Sequence, residues 1–143
     1  MTSRAPIVVF GVVGNDIHVV ANRVLELCLK AGKFDGINLG ANNFPENFAD
    51  AALECSADAV LVASLNGEAP HWCRKFRNLF EARNIGDTIL YLGGNLVTGD
   101  MANDEVEKMF RAQGLDRVFH GTVDFDEVLE TLRKDITDGH AKA

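Results

Sequence analysis

A chain of 143 residues with 47% hydrophobic and 24% charged residues has the size and composition of one globular domain, which excludes general disorder. The longest apolar run, Ile7 to Val13, is far short of the roughly 20 residues that cross a bilayer, so no membrane partner is expected. Fourteen basic against 21 acidic residues leave a net charge of −7 with no basic stripe, which argues against nucleic acid as a partner.

Short apolar runs alternate with longer amphipathic stretches. Ile7–Val13 is rich in β-branched residues and ends in Gly14-Asn15-Asp16, the pattern of a buried strand. His18 to Ala31 repeats Val20, Val24, Leu27 and Cys28 at helical spacing, and Gly32 stops it. Gly36–Leu39 is a weaker second strand. Pro45 opens a helix that runs through Phe48, Ala51 and Ala52 to Cys55. Ala59–Ala63 is a third strand. Pro70 to Arg83 reads as one helix with Trp72, Phe76, Leu79 and Phe80 on one side. Thr88–Leu92 is a fourth strand ending in Gly93-Gly94. Asn103 to Gln113 is a helix closed by Gly114, and Arg117–Phe119 is a short fifth strand. Phe125 to Ile136 is the last helix, and the tail from Thr137 is expected to fray.

Five apolar strands separated by helices predict a parallel sheet covered on both faces. The expected fold is a single α/β doubly wound domain of flavodoxin-like order 2-1-3-4-5, over 1–143 with its core at about 5–137. The three cysteines, Cys28, Cys55 and Cys73, are odd in number and widely spaced. They suit small buried side chains in a reducing cytoplasm better than a disulfide framework or a CxxC metal site. Met1 to Pro6 carries no apolar signal core, which agrees with a cytoplasmic location.

In this fold ligands bind beyond the carboxyl ends of the strands. The loops expected there are small and polar: Gly14-Asn15-Asp16-Ile17-His18, Ala63-Ser64-Leu65-Asn66-Gly67, Gly93-Gly94-Asn95 and His120-Gly121-Thr122. A phospho-receiver would need an aspartate after the third strand and a lysine after the fifth, where Ser64 and His120-Gly121 stand. A flavin-mononucleotide loop would need hydroxyls after the first strand, where an acid stands instead. The spacing of Gly11 and Gly14 does not match a GxGxxG fingerprint.

Asp16-x-His18 remains. Alone, Asp16 reads as a helix N-cap and His18 as a first-turn surface histidine. As a pair they have a distinct chemistry: an imidazole ligates metal through one nitrogen while a carboxylate on the other fixes its tautomer. One histidine cannot hold a bare metal, but it can supply an axial ligand to a metal already in a macrocycle. His71-Trp72 reads as packing on the third helix, and Met101 and Met109 as packing residues. His120 lies on the binding edge but in no motif.

Asp16-Ile17-His18-Val19-Val20-Ala21, Ser64-Leu65 and Gly93-Gly94 resemble the DxHxxG … SxL … GG signature of cobalamin-binding domains. The stretches Val8–Asp16, Ser56–Leu65 and Leu90–Val97 are most similar to the small (sigma) subunit family of glutamate mutase, also called methylaspartate mutase, and the resemblance spans nearly the whole chain. It implies adenosylcobalamin as cofactor, bound base-off with His18 as the axial ligand of cobalt and Asp16 tuning it. Ser64 would bond the displaced nucleotide base with Ala63 and Leu65 beside it, and Asn15, Ile17 and Val19 would flank the cofactor. Gly93 and Gly94 would let the nucleotide tail approach the backbone. Asn95, Leu96, Val97, Thr98, Gly99, Gly121 and Thr122 would line the rest of its groove.

The resemblance further implies an isomerase subunit with no catalytic residue of its own. It would act in a heteromer with a large barrel (epsilon-type) subunit that holds glutamate, which is rearranged by radical chemistry to 3-methylaspartate. A stand-alone corrinoid carrier or sensor serving another mutase or methyltransferase is the alternative. A free-standing domain without a helical cap fits the mutase subunit. One position departs from the signature: its glycine is Ala21 here, which adds a methyl and favours the helix by roughly 1 kcal/mol.

Overall fold

The computed structural model describes residues 4–14, 20–64, 67–97, 101–121 and 123–142, with 140–142 described for backbone only. Their elements are β1 (Ile7–Val12), α1 (Val20–Ala31), β2 (Asp35–Asn38), α2 (Pro45–Cys55), β3 (Ala59–Ala63), α3 (Ala69–Cys73), α4 (Phe76–Ala82), β4 (Ile89–Gly94), α5 (Asn103–Ala112), β5 (Arg117–His120) and α6 (Phe125–Lys142). The strands form one parallel sheet of order β2-β1-β3-β4-β5, as the alternation of strands and helices predicts. Val12 pairs with Ala63 and Ala63 with Gly93, so the carboxyl ends of β1, β3 and β4 form one edge.

Strand alternation divides the core into two layers. Val9, Val60, Val62, Leu90 and Leu92 face α2, α3, α4 and α5, where Phe48, Phe76, Phe80 and Phe110 fill the space. Val8, Phe10, Leu61 and Tyr91 face α1 and α6, against Leu25, Leu29, Val128 and Leu132. Two aspartates tie strand starts together. Asp58 accepts from the Ile7 N–H at 2.8 Å, and Asp116 accepts from the Leu90 N–H at 2.8 Å. Within the second layer Tyr91 donates to Asp135, which also receives the guanidinium of Arg117. Burial first, and the Asp135 carboxylate second, raise the Tyr91 phenol well above its ordinary pKa, so it stays a neutral donor.

Four sequence expectations change in three dimensions. The predicted helix over Pro70–Arg83 is two helices, α3 and α4. At the junction Lys75 N–H reaches back three residues to Trp72 O, a tightened turn that still buries both Cys73 and Phe76. The apolar repeat that marks α1 does not face the core: Val20 is 77% and Leu27 56% exposed, while Asn22, Leu25 and Leu29 point inward. Met101 is exposed rather than packed, although Met109 does pack on the first layer. The last helix continues to Lys142 instead of ending at Ile136.

The cysteines are all free thiols, with Cys73 buried and Cys28 and Cys55 half-buried. Burial pushes the Cys73 thiol up to about 12, so it is an inert packing group.

Past β1 the chain turns at Gly14, which has φ +84° and would carry any Cβ into the indole nitrogen of Trp72. Trp72 in turn stacks at a tilt on Phe44, centroids 5.3 Å apart, and edge-on to His71 at 4.6 Å. Gly14→Ala is expected to destabilise the fold by about 3 kcal/mol, combining left-handed backbone strain with overpacking. Equilibrium urea denaturation reads this. A loss under about 1 kcal/mol would show that Trp72 swings away freely.

Candidate functional site

A cavity of 340 Å³ opens at the carboxyl edge, between α1, α6 and the ends of β3, β4 and β5. That volume lies in the range of small-ligand sites. Its walls come from Leu25 of α1, Leu61 and Ala63 of β3, Tyr91, Gly93 and Gly94 of β4, Phe119 of β5, and Val123, Phe125 and Val128 at the start of α6. Asn95 and Gly121 line it from the loops, and Ala21 and Asn22 from the first turn of α1.

The glycines shape this wall. By strand alternation Gly93 faces the same side as Tyr91, toward the cavity. A Cβ there would make only ordinary contacts, 3.6 Å to Phe119 O and 3.8 Å to Phe119 Cβ, so the protein itself does not demand glycine. Gly94 does need it, at φ +119°, and its carbonyl accepts from Gly121 N–H at 3.0 Å. Gly121 has φ +88° and open space where a Cβ would stand.

Two buried polar atoms at this edge lack a hydrogen-bond partner. Ser64, fully buried just past β3, donates its backbone N–H to Gly93 O at 3.1 Å, but its Oγ is unpartnered. Asn22 Oδ1 is the other. Native interiors leave few such atoms, and orphaned groups beside a cavity point to a ligand. The site therefore fits a largely apolar ligand that approaches the main chain at the glycines. Among the described residues no three His, Cys, Asp or Glu side chains are grouped to hold a metal ion.

Of the residues singled out from sequence, Ala63, Gly93, Gly94, Asn95 and Gly121 meet on the cavity wall, with Ser64 adjoining it in the chain. Leu96 and Val97 do not join them: both are buried in the opposite layer of the core. Asn15, Asp16, Ile17, His18, Val19, Leu65, Thr98, Gly99 and Thr122 lie outside the described residues. The described residues on either side of Asp16 and His18 are Gly14, after β1, and Val20, the start of α1. His120 is not on the wall. Its Nδ1 accepts from Leu96 N–H at 3.2 Å and ties the β4 loop to β5.

Sequence reasoning missed most of the cavity floor. Leu61, Tyr91, Phe119 and Val128 carry ordinary core signatures, and nothing in sequence separates a wall of a cavity from a wall of the core. Ala21, noted as a departure from the signature, does reach the cavity, so its extra methyl lies on the wall.

This fold is widely shared. A signal receiver domain of a response regulator from Mycobacterium tuberculosis superposes with a TM-score of 0.68 at 10% identity, over 94% of this chain and 98% of that one. A cobalamin-binding protein from Desulfitobacterium hafniense superposes with a TM-score of 0.71 at 19% identity, over 90% of this chain and 58% of that one. These likenesses establish a flavodoxin-like domain and nothing finer.

No family model matches the sequence. The glutamate mutase sigma subunit of Carboxydothermus hydrogenoformans, however, is 41% identical over 128 residues, which are 90% of this chain and 93% of that protein. The chain belongs to the glutamate mutase sigma subunit family.

Proposed function

We propose that this chain is the cobalamin-binding small subunit of a glutamate mutase, an isomerase that works as a complex. The observation that carries the proposal is the apolar cavity at the carboxyl edge, walled by Gly93, Gly94 and Gly121, with the unpartnered Ser64 Oγ next to it. The nucleotide tail of adenosylcobalamin is the occupant of that cavity. When bound, this cofactor supplies a carbon-centred radical by homolysis of its cobalt–carbon bond, the chemistry that interconverts (S)-glutamate and (2S,3S)-3-methylaspartate.

The chain's own residues bind and orient. His18 would hold the cobalt through one ring nitrogen, and Asp16 would accept a hydrogen bond from the N–H of the same ring, fixing its tautomer. Asn15, Ile17 and Val19 would flank that pair. Ser64 would donate its hydroxyl to the nucleotide base, with Ala63 and Leu65 beside it. Gly93 and Gly94 admit the tail close to the main chain, and Asn95, Thr98, Gly99, Gly121 and Thr122 bound its groove.

Among the described residues no acid–base pair lines the cavity, so in this reading the substrate belongs to a partner mutase subunit, a large barrel, and the chain alone is silent. Among the described residues no helix is long and apolar enough to cross a membrane. Three free thiols suit a cytoplasmic location.

Mixing the purified chain with hydroxocobalamin, followed by gel filtration and visible spectroscopy, tests the reading. Retained corrin in a base-off form is expected, and His18→Ala should lose the lower nitrogen ligand. A chain that retains no corrin, alone or with the large subunit, overturns the proposal.

A further inference from the structure

We infer that Asn22 is a specificity residue for the nucleotide end of the cofactor, its side-chain carbonyl held ready for a sugar hydroxyl of the tail. The inference rests on the cobalamin reading and goes beyond the signature, which does not include this position.

Asn22 lies in the first turn of α1, is 4% exposed, and lines the cavity. Its amide has one orientation. Nδ2 donates to Asn38 Oδ1 at 2.8 Å. Asn38 cannot flip to release it, because its Oδ1 also accepts from Gly40 N–H at 2.8 Å and its Nδ2 donates to Glu26 Oε2 at 2.9 Å. A flipped Asn38 would set its NH₂ against the Gly40 N–H and its carbonyl against a carboxylate. The Asn38 bond, more than the nearby Arg23 charge, holds the Glu26 carboxyl below its usual range, so Glu26 remains an ionised acceptor. With the amide nitrogen committed to β2, the carbonyl oxygen of this wall residue is left buried and unpartnered.

An unpaired buried acceptor costs stability that an apolar side chain of similar size would not. A trapped water is a poor substitute. It needs two to four polar partners, and besides Asn22 the described side chains of the same walls offer only the Asn95 amide and the Tyr91 hydroxyl, the latter already donated to Asp135. The ligand group must be a donor. In the nucleotide tail the benzimidazole and the phosphate have none at neutral pH, which leaves the sugar hydroxyls and the amide N–H of the linker, and cobinamide retains only the latter.

The test compares hydroxocobalamin with cobinamide, which lacks base, sugar and phosphate, by visible titration of the parent chain, Asn22→Leu and Asn22→Ala, with thermal midpoints recorded alongside. Loss of one such bond should raise Kd for hydroxocobalamin about 5-fold or more in both variants. The Kd for cobinamide should stay within about twofold. Equal Kd values for hydroxocobalamin in parent and folded variants, or an equal loss for both corrinoids, would overturn the role of Asn22 while leaving the cobalamin reading intact. A parent chain that binds neither corrinoid would overturn both.

Discussion

Gly93→Ile is expected to abolish corrin retention while moving the thermal midpoint by no more than about 3 °C. Gly93 stands near the end of β4, on the face where Tyr91 packs against α6 and where the cavity opens. Its backbone does not require positive φ, and a Cβ meets only ordinary contacts at Phe119. The new side chain therefore projects into the 340 Å³ cavity rather than into protein. Isoleucine is a better strand former than glycine by up to about 1 kcal/mol, and it fills apolar space, so the folded chain loses nothing. The nucleotide tail, by contrast, loses its path. Gel filtration with bound corrin read in the visible, paired with a thermal melt, gives both numbers from one preparation. A variant that still retains corrin base-off would show that the tail lies elsewhere, and a variant that unfolds would show that the space at Gly93 is structural.

The second large effect lies at the opposite edge of the sheet. Replacing Arg77 by methionine should lower the unfolding free energy by about 3 kcal/mol and the thermal midpoint by on the order of 10 °C, without changing corrin binding. Arg77 projects from α4, with its side chain 18% exposed. Its guanidinium donates twice to Gly114 O, at 3.0 and 2.8 Å, to Gly86 O at 2.5 Å and to Thr88 O at 3.2 Å, and pairs with Asp116 at 3.0 Å. One planar cation thus joins the turns that lead into β4 and β5. Its stem also packs where any Cβ at Gly114 would stand, and Gly114 turns at φ +101°.

Methionine keeps much of the stem volume but satisfies none of the carbonyls. Arg77→Lys should recover only part of the loss, because an ammonium cannot span acceptors that the guanidinium fork reaches together. Urea denaturation separates the three proteins. A loss below about 1 kcal/mol for Arg77→Met would mean that water replaces the guanidinium at those carbonyls.

Much of this architecture is readable from residue order alone. Ala59–Ala63 is continuous and apolar because a central parallel strand is covered on both faces, and the observed β3 has those bounds. Pro45 and Cys55 mark the ends of α2 as read, since proline suits a first helical turn. The order of strands is the one expected of a doubly wound domain of this length.

Local pattern reaches its limit at α1. Its apolar repeat announces a helix correctly, yet Val20 and Leu27 face outward and a polar residue, Asn22, faces in. Periodicity identifies a helical stripe but not which neighbour will cover it. The helix over Pro70–Arg83 is interrupted by a tightened turn at Arg74 and Lys75, and no breaker residue in the segment announces it.

The site divides in the same way. Sequence by itself proposed the chemistry-bearing set at the loops, Asp16, His18, Ser64 and the Gly93-Gly94 pair, through its resemblance to the cobalamin-binding signature rather than through spacing alone. Only the tertiary structure decided that an apolar cavity stands between α1 and α6, since Leu61, Tyr91 and Phe119 are core residues by every local measure. It alone placed Leu96 and Val97 in the opposite layer and Asn22 on the wall. A cavity is the space that packing leaves unfilled. It is a property of how α1 and α6 rest on the sheet, and no single segment encodes it.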